Sequence, residues 1–327
     1  MICIRRFQWG IFVALSFVGC KSEPQNQDQK SIEKAIERID VTEHYVSDSY
    51  HKRHDGFDWV AVSVKHHGDE SLWVSVRSRA DQKKPTCTYD TKAFRIDKNT
   101  YESTYDGKRI RFEFFPTSLT ISTENPDDSN MLYFFCNGGA TLAGHYGKID
   151  GELDPQQIDL TTFSKVLNLQ GIGFNVSSIE KDNKNTLTIF TFGLENRDYN
   201  ETFTIEGQVV IDAEVEDLNS DGSPELFVYT QSVGSGSYGN IFAFSVNAKK
   251  SMSQVYFPPT SENPKINSGY RGHDAFTIVE NTLSQRFPIY KEGDTNASPT
   301  GGTRQVSYTL VEGEAMRQLK VLDITEY

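Results

Sequence analysis

Short runs of alternating apolar and polar residues, each closed by a turn signal, recur from about Tyr45 to the C-terminus. Trp59, Ala61 and Ser63 alternate with Val60, Val62 and Val64. Leu72, Val74 and Val76 alternate with Trp73, Ser75 and Arg77. Further β-type runs follow at Arg109–Phe115, Ser118–Ser122, Met131–Phe135, Thr186–Phe192 and Val209–Val215, with Asp-Gly, Asn-Pro and Gly-Gly turn signals in the first half. A period of two over so many short segments, with little helical period, restricts the chain to an all-β class. The expected architecture is two antiparallel β domains, each a small barrel or sandwich, spanning residues 42–155 and 160–327.

The N-terminus reads differently. Arg5 and Arg6 precede a short apolar core, Trp9–Val18, then Gly19 and Cys20, after which the chain turns polar. Residues 1–19 resemble a bacterial lipoprotein signal peptide, with Phe17 standing where such signals usually carry leucine. The resemblance implies lipidation of Cys20, a polar tether over residues 20–41, attachment to a membrane through the lipid, and a place in the cell envelope at the outer membrane. The alternatives are an ordinary cleaved signal or a membrane anchor, and the apolar core is short for a span. With Cys3 removed and Cys20 lipidated, Cys87 and Cys136 remain in an oxidising compartment and are expected to pair. Closing that loop is worth roughly 4 kcal/mol on a chain-entropy argument.

The formal charge is −12, and loss of residues 1–19 makes the mature chain two units more negative. Such a chain does not seek nucleic acid, and it favours encounter with cationic proteins, although solubility alone also accounts for the charge. His51, His54, His66, His67 and His145 lack the carboxylate or cysteine register of a metal site and read as loop histidines. No nucleophile elbow, metal-ligand set or P-loop is present, so no catalytic residue is assigned and the chain is read as a non-enzyme.

The stretch Asp217–Ser245 carries the candidate site. Asp217, Asn219, Asp221 and Gly222 form an Asx-rich turn, which with Glu225 offers a possible Ca²⁺ ligand set. An EF-hand would place glutamate where Val228 stands, and the competing reading is a turn that simply starts a strand. The apolar runs Leu226–Tyr229 and Ile241–Val246 flank a Gly/Ser loop and read as a hairpin. Gly234, Gly236 and Gly239 fit a dinucleotide fingerprint, but a strand follows them where a helix is required. The loop presents one large ring, Tyr238, in a frame of residues with almost no side chain.

Three motifs carry a family resemblance: SGSYG at Ser235–Gly239, GYRGHDAF at Gly269–Phe276, and RFPIYKEGDTNASPTGGTRQ at Arg286–Gln305, with Tyr308–Leu310 after it. Over roughly residues 160–327 the chain resembles the periplasmic inhibitors of invertebrate-type (i-type) lysozyme. The resemblance implies an all-β domain that binds a lysozyme and inserts loop residues into its substrate cleft. By this resemblance Ser235 and Tyr238 are the inserted residues, and with Gly236 and Ser237 between them they make up the expected partner-binding loop. Arg304 either pairs with an acidic group of the enzyme or is paired within the domain. Asp294, Pro299, Gly301 and Gly302 shape the last motif, and His273–Asp274 reads as a structural turn. The rival reading is a cell-surface glycan-binding or hydrolytic lipoprotein with its site in the N-terminal β domain.

Overall fold

The computed structural model describes residues 40–81, 86–182 and 184–327. The signal segment, Cys20 and almost all of the tether lie outside these residues. The described chain is all-β and belongs to one compact unit.

The first ten strands are β1 (Glu43–Val46), β2 (Ala61–His66), β3 (Ser71–Arg77), β4 (Thr86–Cys87), β5 (Tyr89–Asp97), β6 (Thr100–Tyr105), β7 (Lys108–Phe115), β8 (Ser118–Thr123), β9 (Cys136–Asn137) and β10 (Gly144–Ile149). Eight of them close an antiparallel barrel in the order β1-β10-β8-β7-β6-β5-β3-β2. The alternation of Leu72, Val74 and Val76 sends these residues inward, where they meet Tyr45, Ile110, Phe112 and Phe114. Closure comes from β1, which pairs with β2 on one side and β10 on the other.

β4 and β9 stand apart as a two-stranded ribbon in which Cys87 and Cys136 are opposite each other and bonded. Met131–Phe135, expected as a strand, lies in and just after a 3-10 helix, Pro126–Tyr133. Asn125 starts that helix by accepting the Asp127 N–H, and Pro126 at its first position favours the helical φ.

The remaining strands are β11 (Thr161–Leu169), β12 (Ile172–Lys181), β13 (Lys184–Phe192), β14 (Asn200–Thr204), β15 (Gln208–Glu216), β16 (Glu225–Ser232), β17 (Gly239–Asn247), β18 (Ser251–Val255), β19 (Ala275–Val279), β20 (Thr282–Pro288), β21 (Thr303–Val311) and β22 (Gln318–Glu326). They form three four-stranded antiparallel sheets, β11–β14, β15–β18 and β19–β22. The second sheet is the middle layer. Leu226, Val228, Phe244 and Val246 face the first sheet and pack on Phe174, Val176 and Leu187. Phe227, Tyr229, Ile241 and Ala243 face the third sheet and pack on Leu283, Phe287 and Tyr308. A strand buried on both faces needs apolar side chains in both directions, which is why Leu226–Tyr229 is a continuous run. Each such side chain is worth roughly 1.5–3 kcal/mol when removed from water.

Candidate functional site

The hairpin β16–β17 ends in the loop 233–238. Its backbone is tied down at both ends. Ser232 and Tyr238 exchange bonds, the Ser232 N–H reaching Tyr238 O at 2.8 Å and the Tyr238 N–H reaching Ser232 Oγ at 2.8 Å. The Gly239 N–H donates to Asp274 Oδ2 at 2.7 Å. The tip is open to solvent: Val233 is 69% exposed and Tyr238 48%. Tyr238 therefore has a fixed backbone and an accessible ring, which meets Tyr270 edge-on at 5.8 Å between centroids.

The three sequence motifs meet here. The segment 269–274 runs under the loop, and the His273 N–H donates to Gly236 O at 2.9 Å and Ser237 O at 3.1 Å. Gly272 makes that approach possible. Its φ is +87°, and a Cβ there would run into the Gly236 carbonyl. The third motif joins through Asn296, whose Nδ2 donates to Ser235 O at 3.1 Å. Asp294 shapes that loop by accepting the N–H groups of Lys291 and Thr300, and these bonds hold its carboxyl below the usual carboxylate range. Arg271 lies over the Tyr290 ring and donates to Asp294 O.

A buried polar hub supports the loop. Asp274 accepts from Gly239 N, Tyr270 OH and Gln285 Nε2, and Gln285 in turn accepts from Tyr308 OH at 2.6 Å. Burial pushes the Asp274 carboxyl up against the effect of these donors. Burial also raises the Tyr270 phenol, with the neighbouring Asp274 adding to the effect. Tyr270, His273, Asp274, Tyr290 and Asn296 were not picked out as site residues by sequence reasoning. The signal was their presence inside the quoted motifs.

Arg304 sits inside the molecule. It is 7% exposed, ion-paired with Glu326 at 2.6 Å, and donates to the carbonyls of Ile266 and Ser268. Its donors are committed within the chain, so the structure favours the paired, internal role over contact with an enzyme.

The candidate Ca²⁺ loop also closes on itself. Asp217 accepts from the N–H groups of Asp221 and Gly222, and Asn219 donates to Asp221 Oδ2. Glu225 is fully buried and accepts from Leu218 N and Ser245 Oγ. Among the described residues no group of three or more His, Cys, Asp or Glu side chains is placed to hold a metal ion. The loop is an Asx turn whose oxygens serve its own amides and, from outside it, the side chains of Gln170 and Arg317.

The arrangement presents a phenol and a serine hydroxyl on a braced, solvent-facing tip, with tyrosine rings behind. Its chemical capacity is recognition: hydrogen bonding and ring stacking into a concave partner. No curated protein and no solved structure matches the chain. Residues 182–261, from the start of β13 to just beyond β18, match a family model described as periplasmic lysozyme inhibitor of I-type lysozyme, and the loop 233–238 lies within the matched stretch.

Proposed function

We propose that this chain inhibits a lysozyme of the i-type by inserting the loop 233–238 into the substrate cleft. The observation that carries the reading is the exposed Tyr238 ring on a hairpin tip braced by the two other motif segments. The family match over residues 182–261 supports a lysozyme-inhibitor role in the periplasm. A glycosidase cleft has two carboxylates at its base. The hydroxyls of Ser235 and Tyr238 can donate to those carboxylates while the tyrosine ring fills a saccharide subsite. Cys20 carries a lipid in this proposal, and the tether lets the inhibitor meet an enzyme entering the envelope.

The test is inhibition of i-type lysozyme, beside lysozymes of other types, by the purified mature protein. Saturable inhibition of the i-type enzyme is expected. Its absence at micromolar protein overturns the proposal. Detergent-phase partitioning of the Cys20→Ala variant tests the anchor, which is rejected if partitioning and processing are unchanged.

A further inference from the structure

A concave surface lies away from the loop 233–238. Three hollows of about 460, 190 and 320 Å³ follow one another along β11. The first and second share Phe135 and Val166, and the second and third share Lys165, Leu167 and Val215. Lys165 and Leu167 point to the face of β11 opposite Ser164 and Val166, so the third hollow lies behind the strand from the first, and the first two alone form one trough. From Thr161 to Asn168 it runs roughly 24 Å, at about 3.4 Å per strand residue. A trough of that length suits a linear chain better than a compact small molecule.

Its chemistry is specific at the larger end. One wall comes from the barrel, with Thr86, Thr88 and Asn137 on the disulfide-bonded ribbon, and the other from the first sheet, with Ser164, Asn175 and Ser177. Hydroxyls and amides both donate and accept, Asp159 adds a carboxylate, and no lysine or arginine lines this hollow among the described residues. At its edge the Phe134 ring is 54% exposed. It is held from behind by Tyr105 at 5.5 Å and by Phe135, edge-on at 5.6 Å. An exposed ring fixed in place beside a row of hydroxyl, amide and carboxylate groups matches a sugar ring, which has an apolar face and a rim of hydroxyls.

We propose that the trough along β11 binds a neutral saccharide chain, with Phe134 as the stacking platform and Asn175 and Thr88 among the groups that read its hydroxyl or acetamido substituents. The Cys87–Cys136 bond fixes the ribbon that carries Thr86, Thr88 and Asn137, so the wall is formed before the ligand arrives. No residue of the loop 233–238 lines the trough, and this proposal stands independently of lysozyme inhibition.

The experiment is calorimetric titration of the mature protein with N-acetylglucosamine, its dimer and its hexamer, with no lysozyme present. Affinity should rise with chain length. Phe134→Ala should weaken the hexamer about tenfold, as expected for loss of one stacked ring. Asn175→Ala, at an exposed strand position, should cause a smaller loss, and both variants should keep the parental melting temperature. Absence of binding by the hexamer at millimolar concentration overturns the proposal, as does affinity independent of length. Unchanged affinity in folded Phe134→Ala removes the site from this trough. Displacement of the hexamer by a lysine-rich peptide of higher affinity would make the trough a peptide site instead.

Discussion

Tyr238 is immobilised by its backbone and left free at its ring, a combination that concentrates binding energy. Ordering cost is met before the partner arrives, since the Ser232 exchange and the Gly239–Asp274 bond already hold the tip. A central aromatic anchor typically costs about 2 kcal/mol or more when cut to alanine, roughly thirtyfold in affinity. Tyr238→Ala should therefore lose lysozyme inhibition by at least that factor and keep the parental melting temperature. Ser235→Ala should lose less, unless its hydroxyl faces a buried enzyme carboxylate that would then lack a donor. Arg304→Ala should behave in the opposite way, lowering the melting temperature through loss of the Glu326 pair and of the bonds to Ile266 and Ser268. Full inhibition by folded Tyr238→Ala would show that the loop is not the inserted element. The ring's prominence was legible in the sequence because the glycines and serines around it have nothing to cover it with. The burial of Arg304 was not, because its partners come from the segment 266–268 and from Glu326, neither of them adjacent in sequence.

At the scale of elements, the turn between β15 and β16 shows how one carboxylate pattern serves two purposes. Carboxylates spaced two apart fit a cation loop and an Asx turn equally well, and only the direction of the oxygens separates the readings. Here they face the loop's own amides, while Glu225 is drawn into the core beside Ser245. Burial pushes the Glu225 carboxyl up to about 7 from a reference of 4.5. Between those values the folded state binds more protons than the unfolded one, so stability falls as pH rises through this window. The shift corresponds to about 3 kcal/mol at pH above 7. Thermal melts of the parent should thus decline from pH 5 to pH 8, and Glu225→Gln should flatten much of that decline. Identical slopes for the two proteins would refute the assignment. Local pattern also misled at Met131–Phe135, where an apolar run looked like a strand. Asn125 and Pro126, just upstream, had already committed the chain to a helical turn. The Leu226–Tyr229 run within β16 was readable because burial on both faces leaves those four positions apolar.

At the scale of the molecule, closure of the barrel and the joining of barrel to sheets both rest on pairings between residues far apart in sequence. β1 meets β10 across the whole N-terminal half, so alternation alone could not distinguish a barrel from a sandwich. The join is a polar seam. Arg77 on β3 and Asp90 on β5 form a buried two-pronged pair, with Nη1 to Oδ1 at 3.0 Å and Nη2 to Oδ2 at 2.7 Å. Both reach across to β11, Arg77 Nε donating to Thr161 O and Asp90 Oδ2 accepting from Ser164 N. Beside them Asp212 on β15 takes Lys92 from the barrel and Lys165 from β11; burial opposes its ionisation, but the two ammonium groups prevail and hold the carboxyl low. That tie is present above the ordinary aspartate range and weakens as pH falls through the depressed value. Trp73 stacks on Phe163 across the same join. Removing one partner of a buried pair strands the other charge, a loss of about 3–5 kcal/mol. Asp90→Asn should therefore destabilise by roughly that amount, whereas Lys92→Met, which breaks a partly exposed pair, should cost about 1 kcal/mol or less. If the seam couples barrel and sheets, scanning calorimetry should find one heat-absorption peak in the parent and two in Asp90→Asn. A core truncation such as Ile110→Ala should then move the lower-melting of those two peaks or the higher, and leave the other in place. One undivided peak in Asp90→Asn, shifted no further than in Lys92→Met, would mean that apolar packing such as Trp73–Phe163 holds the halves together and that the ion pair only fills the gap between them.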